Sequence, residues 1–100
     1  MPKLYEYLGI VILFYSNEHT PIHVHGKYQG KENRAEIVMA NGKITGIYFK
    51  KVKGKKSLPP NKLSDFKKLV NMYSKDIVKK WISFFIYNKP FKPKKITKLK

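Results

Sequence analysis

All three histidines of this 100-residue chain fall within seven positions, in the stretch Glu18-His19-Thr20-Pro21-Ile22-His23-Val24-His25. On an extended strand His23 and His25 leave the same face, because side chains alternate with a period of two. His19 lies four residues upstream, across the turn expected at Ser16-Asn17-Glu18. Three neutral imidazoles so grouped could hold zinc or a similar divalent metal, with Glu18 or Glu36 as a fourth ligand. They could also work as acid and base near neutral pH, where histidine alone titrates unperturbed. In phosphodiester cleavage one would take a proton and another give one, while Arg34 or a nearby lysine held the phosphate. The structural alternative is that the histidines pack on aromatics and bond loop carbonyls, so fixing the turn at Pro21. The residue types and spacing leave these readings open, and with them whether the chain is an enzyme.

A second group is purely electrostatic. Lys50, Lys51, Lys53, Lys55 and Lys56 crowd one loop, KKVKGKK, and are candidates for binding phosphate. The chain has 22 Lys+Arg against 6 Asp+Glu, for a net charge of +16. Residues 1–50 hold six basic and four acidic residues, whereas residues 51–100 hold sixteen and two. A surplus of that size in one half points to a polyanion partner, RNA or DNA. Arginine, the better reader of phosphates and bases, occurs only at Arg34. Lys53-Gly54-Lys55 lacks the GxxxxGK[ST] frame of a phosphate loop, and no GxSxG or HExxH signature is present.

Positioning these residues falls to a strand-rich first half. Leu8 to Tyr15 is apolar on both faces and reads as a central strand. Pro21 opens the strand of His23 and His25, with Ile22 and Val24 on its other face. Arg34 to Met39 alternates as a third strand, and Asn41-Gly42 then predicts a type I′ hairpin into Ile44–Phe49. After Leu58-Pro59-Pro60 the period changes. Leu63, Phe66, Leu69, Val70, Tyr73, Ile77, Trp81 and Phe84 form one helical stripe, with Asn61 as the expected cap. One helix over 61–86 would be about 39 Å long, too long for a globule with a radius of gyration near 13 Å. Two helices, broken near Ser74, are therefore expected. Trp81, Phe84 and Phe85 read as core at that spacing and not as a base-stacking platform.

The expected fold is α+β, an antiparallel sheet of about four strands with two C-terminal helices on one face. Residues 1–88 form the single domain, and 89–100, with six lysines, two prolines and no acid, form a basic mobile tail. No cysteine is present, so disulfides and thiolate zinc sites are excluded. The eight-residue apolar run from Leu8 falls well short of the roughly 20 residues of a spanning helix. No export signal is read, and the expected location is the cytoplasm.

The strand Gly9-Ile10-Val11-Ile12-Leu13-Phe14-Tyr15 followed by Glu18-His19-Thr20-Pro21-Ile22-His23-Val24-His25 resembles a family of small bacterial and archaeal proteins catalogued as a domain of unknown function. Its pattern is GIxIxMY, then DHxPPHFHVxY, then an alanine-bearing strand. Tyr28, Ala35-Glu36-Ile37, Gly46, Leu58-Pro59 and Trp81 fall in comparable places, so the likeness spans residues 5 to about 86. Glu18 stands where aspartate is usual, Ile22 replaces the second proline and Val24 replaces phenylalanine. The resemblance implies a stand-alone cytosolic protein encoded beside a small cognate protein, a pairing taken to mean a toxin–antitoxin module. It carries no agreed activity or catalytic residues.

Three functions follow as expectations. The leading one is a nucleic-acid-interacting protein, the RNA-acting toxin of such a module, with His19, His23 and His25 at the site. The alternative is a non-catalytic module that docks a protein while the histidines hold the turn. A histidine-rich metalloprotein is the third.

Overall fold

The computed structural model describes residues 3–14, 22–89 and 92–97. The chain runs β1 (Lys3–Tyr7), β2 (Ile10–Leu13), β3 (Ile22–Tyr28), β4 (Lys31–Ala40), β5 (Lys43–Lys51), α1 (Pro60–Met72), α2 (Ser74–Phe85) and β6 (Lys94–Lys95). These strands form one sheet in the order β5-β4-β3-β2-β1-β6. All pairs are antiparallel except β1 with β6. The mixed α+β class holds, but the sheet has six strands and not about four.

The extra strands have separate causes. The apolar run expected as one strand from Leu8 is broken at its start. Leu8 and Gly9 both have positive φ and turn the chain between β1 and β2, leaving Leu8 exposed. Gly9 adopts φ 86° at this turn, a conformation open to glycine at little cost. The other extra strand, β6, lies inside the stretch expected to form a mobile tail. It pairs with β1, the Ile96 N–H donates to the Glu6 carbonyl at 2.8 Å, and Ile96 is buried in the core. One buried apolar side chain and a short ladder to β1 outweigh the local polarity there.

Local chemistry does decide the hairpins. Asn41 and Gly42 have φ 54° and 77°, the positive pair that a type I′ turn demands, and join Ala40 to Lys43. Gln29 and Gly30 repeat the device between β3 and β4.

The helical stripe divides as expected, one residue early. Tyr73 is the junction, with φ −105° and ψ 16°, and Ser74 is the first residue of α2 and not its cap. Asn61 likewise does not cap α1; Pro60 occupies the first turn, where its missing N–H costs no helical bond. Phe66, Leu69, Val70, Ile77, Val78 and Trp81 are buried against the sheet.

The helices cover a single face. Phe66 packs on Phe49 of β5 and so closely over Gly26 of β3 that a Cβ there would lie 2.6 Å from its ring. On the same side Phe14 meets Phe84 and Phe85, and Tyr5 stacks on Tyr73 and donates a hydrogen bond to Asp76. This is the face of Ile22 and Val24. His23 and His25 therefore project from the opposite face, which neither α1 nor α2 covers.

Candidate functional site

Strand register builds the site. Across β3 and β4 the paired residues are Lys27 with Glu32, His25 with Arg34, and His23 with Glu36. β2 adds Leu13 beside His25, and β5 adds Lys50 beside Arg34 and Tyr48 beside Glu36. Directly paired residues share a face, so these side chains form a largely polar ladder, with Leu13 beside it, on the side away from α1 and α2.

Two clusters make up the ladder. In the first, His25 Nδ1 lies 2.8 Å from Glu32 Oε2, and Lys27 Nζ lies 3.9 Å from Glu32 Oε1. Both partners of the close pair are buried, with side chains 6% and 4% exposed. A carboxylate on Nδ1 orients the imidazole ring. In the second, Glu36 accepts from Arg34 and from Lys50, each at 2.9 Å. The Lys50 hydrogen bond holds the Glu36 carboxyl below its ordinary range against a smaller opposing effect of burial, and the charges of Lys50, Arg34 and His23 add to it. The His23 and His25 rings meet edge-on at 5.5 Å and join the clusters.

The expected site residues are partly assembled. His23, His25, Arg34 and Lys50 share the ladder. His19 and Glu18 lie outside the described residues. Glu36 faces His23 across the register but is engaged by two cations. The carboxylate on His25 is Glu32, which the sequence reading did not single out. Its signal was available: the Gln29-Gly30 turn fixes the register that sets Lys27 opposite Glu32 and brings Glu32 beside His25. Among the described residues no group of three or more His, Asp or Glu side chains is placed to hold a metal ion.

The basic loop divides differently. Lys50 reaches the ladder, whereas Lys51, Lys53, Lys55 and Lys56 are exposed at the end of the sheet. There the loop takes over pairing where β5 stops, as the Glu32 N–H donates to the Lys56 carbonyl at 2.9 Å. Buried Asn33 staples it. Asn33 Nδ2 donates to Ser57 Oγ at 3.1 Å, and its Oδ1 accepts from the Leu58 N–H at 2.8 Å. Asn33 was also unread in the sequence; a lone asparagine on a strand carries no local signal of a partner 25 residues away.

A sheet with both helices on one face and a buried histidine–carboxylate pair on the other, beside a lysine-rich loop, makes a small α+β domain. Residues 9–82 match the model of a protein family described as Domain of unknown function (DUF4160), and the chain belongs to that family. Neither a curated protein nor a solved structure matches it. Among the described residues no helix is long and apolar enough to cross a membrane.

Proposed function

We propose that the chain binds nucleic acid at the lysine-rich end of its sheet and acts there on RNA, as the toxin of a two-gene module with a small cognate protein. The observation that carries this reading is convergence. Lys27 and Lys31 from the β3–β4 hairpin, the Lys51–Lys56 loop, and Lys62 of α1 come from three separate segments and meet at one end. Lys62 reaches the Leu8 carbonyl at 3.0 Å and lies over the Tyr28 ring, which places α1 beside both turns. Glu32, at the same end, is buried against His25 and lies within 3.9 Å of Lys27, one of these cations. Clustered lysines attract phosphates regardless of sequence, by releasing counterions. RNA cleavage would draw on His25, whose ring Glu32 orients, with Arg34 and His23 beside it.

Binding of a fluorescein-labelled RNA oligonucleotide, followed by anisotropy between 50 and 200 mM NaCl, tests the first half. The expected log–log slope is steep, and Lys53→Glu/Lys55→Glu/Lys56→Glu lowers it by roughly two units, at about 0.7 per lost single-strand phosphate contact. Salt-insensitive binding, or an unchanged triple variant, refutes it. For the second half, Glu32→Gln is expected to reduce cleavage and growth arrest while RNA binding persists.

One observation favours a second reading, in which the chain docks a protein and its histidines are structural. His23 and His25 are only 8% and 5% exposed. Full cleavage by a folded His23→Gln/His25→Gln variant would decide for it.

A further inference from the structure

β5 is the terminal strand along one edge of the sheet, and the lysine-rich loop continues from its C-terminal end. It is nine residues long, and the residue types that blunt an edge are confined to its ends: Lys43 at one, Lys50 and Lys51 at the other. Between them lie Ile44, Thr45, Gly46, Ile47, Tyr48 and Phe49, with Tyr48 exposed. Beyond the register shift at Thr45, where Val38 pairs with Gly46 and Met39 with Ile44, β5 spends only alternate N–H and C=O groups on its one neighbour, so the intervening groups from Gly46 to Lys51 face outwards. Among the described residues no strand lies beyond it.

Beside this edge the surface is hollowed. A half-open recess of about 510 Å³ lies between the β4–β5 hairpin and α2, lined by Met39, Gly42, Lys43, Ile44, Lys75 and Val78. Its floor is aliphatic and its two charged members are both lysines. Neither Lys43 nor Lys75 has a carboxylate partner among the described residues, in contrast to Lys50 and Lys80, which are paired with Glu36 and Asp76.

We infer that β5 and this recess together dock an extended acidic segment of a partner protein, added to the sheet as a seventh strand. The free backbone groups supply the ladder, one aliphatic side chain enters the recess, and flanking carboxylates meet Lys43 and Lys75. Charge selects this occupant over a second copy of the chain. Antiparallel pairing of β5 with itself about Ile47 would set Lys43 against Lys51 at both ends, and directly opposed like charges destabilise a strand pair. The recess lies at the β4–β5 hairpin, at the other end of β5 from the loop proposed to hold nucleic acid, and the inference gives the protein-docking reading a surface and a partner chemistry.

The test uses the full chain and an acetylated heptapeptide alternating glutamate with valine and leucine. Amide exchange is read residue by residue by NMR. The peptide is expected to slow exchange of alternate β5 amides at least tenfold and to shift the Ile44 and Val78 methyl signals. A peptide with proline at its centre, or one with lysines for glutamates, is expected to do neither. Lys75→Glu, a change on the helix surface, is expected to weaken binding at least fivefold, whereas the Lys53→Glu/Lys55→Glu/Lys56→Glu variant retains peptide binding while losing RNA. Unaltered β5 amides at millimolar peptide, or equal protection by the proline or lysine peptide, overturns the inference. Protection of the same amides by an RNA oligonucleotide does so too, since it would make this edge part of the polyanion surface.

Discussion

The two faces of this sheet are built on opposite principles. On the helix-covered side Tyr5, Ile12, Val24, Ala35 and Ile37 are buried by Phe66, Leu69, Ile77 and their neighbours. Contact there is dispersive and apolar, and no single direction matters. On the other side His25, Glu32 and His23 reach nearly the same burial with polar atoms, and Glu36 collects two cations. A buried polar group is tolerated only while its partner is present, so the second face depends on pairs where the first depends on volume. One face can lose a contact and relax; the other loses a partner and strands a charge.

Three perturbations sharpen that contrast. The largest effect is expected on the apolar side. Phe66→Ala removes the ring that fills the space over Gly26 and is expected to cost about 3–5 kcal/mol in urea unfolding. A loss under about 1 kcal/mol would mean that the helices are not the lid of the core.

The polar side is probed by a double-mutant cycle. His25→Leu removes the ring 2.8 Å from the buried Glu32 carboxylate and is expected to cost about 3 kcal/mol. Replacing both partners, His25→Leu/Glu32→Leu, is expected to recover most of that loss, because matched apolar groups need no partner. A cycle without recovery would show that the pair is valued for packing and not for its charge. The proposed RNA cleavage is expected to be absent in the double variant whatever its stability.

The smallest effect concerns pH. Glu36 has its folded-state pKa lowered by Lys50, and Asp76 has its own lowered by the Tyr5 hydroxyl and Lys80, which overcome the raising effect of burial. A lowered folded pKa contributes stability that is present above the ordinary carboxylate value near 4 and fades as pH falls through the folded value. Unfolding midpoints measured from pH 6 to pH 3 are expected to fall, and Glu36→Gln is expected to flatten part of that slope. A slope identical to that of the unmodified chain would show that the Lys50–Glu36 pair contributes no pH-dependent stability.

The molecule also shows how far its residues can be read without coordinates. The Asn41-Gly42 hairpin is legible because its chemistry is complete within two residues. The break between α1 and α2 is legible from length and period, although Tyr73, not Ser74, makes the junction. The β1–β2 turn is less so, since Leu8 adopts a positive φ that leucine rarely takes and looks like the start of a strand. β6 was unreadable: Ile96 sits among lysines and prolines, and only the edge of β1, ninety residues upstream, gives it a partner.

By itself the sequence determined that His23 and His25 share a face and that Val24 takes the other, because strand alternation is a property of the backbone. It determined the charge surplus and the class of fold for similarly local reasons. Which face the helices would cover was left to tertiary structure, because both faces of β3 are compatible with burial. Packing decided it, through the close fit of Phe66 on Gly26. The choice of Glu32 over Glu36 as the partner of His25 was also tertiary, since both are carboxylates within reach by sequence. Register placed Glu36 between Arg34 and Lys50, and left Glu32 for the histidine.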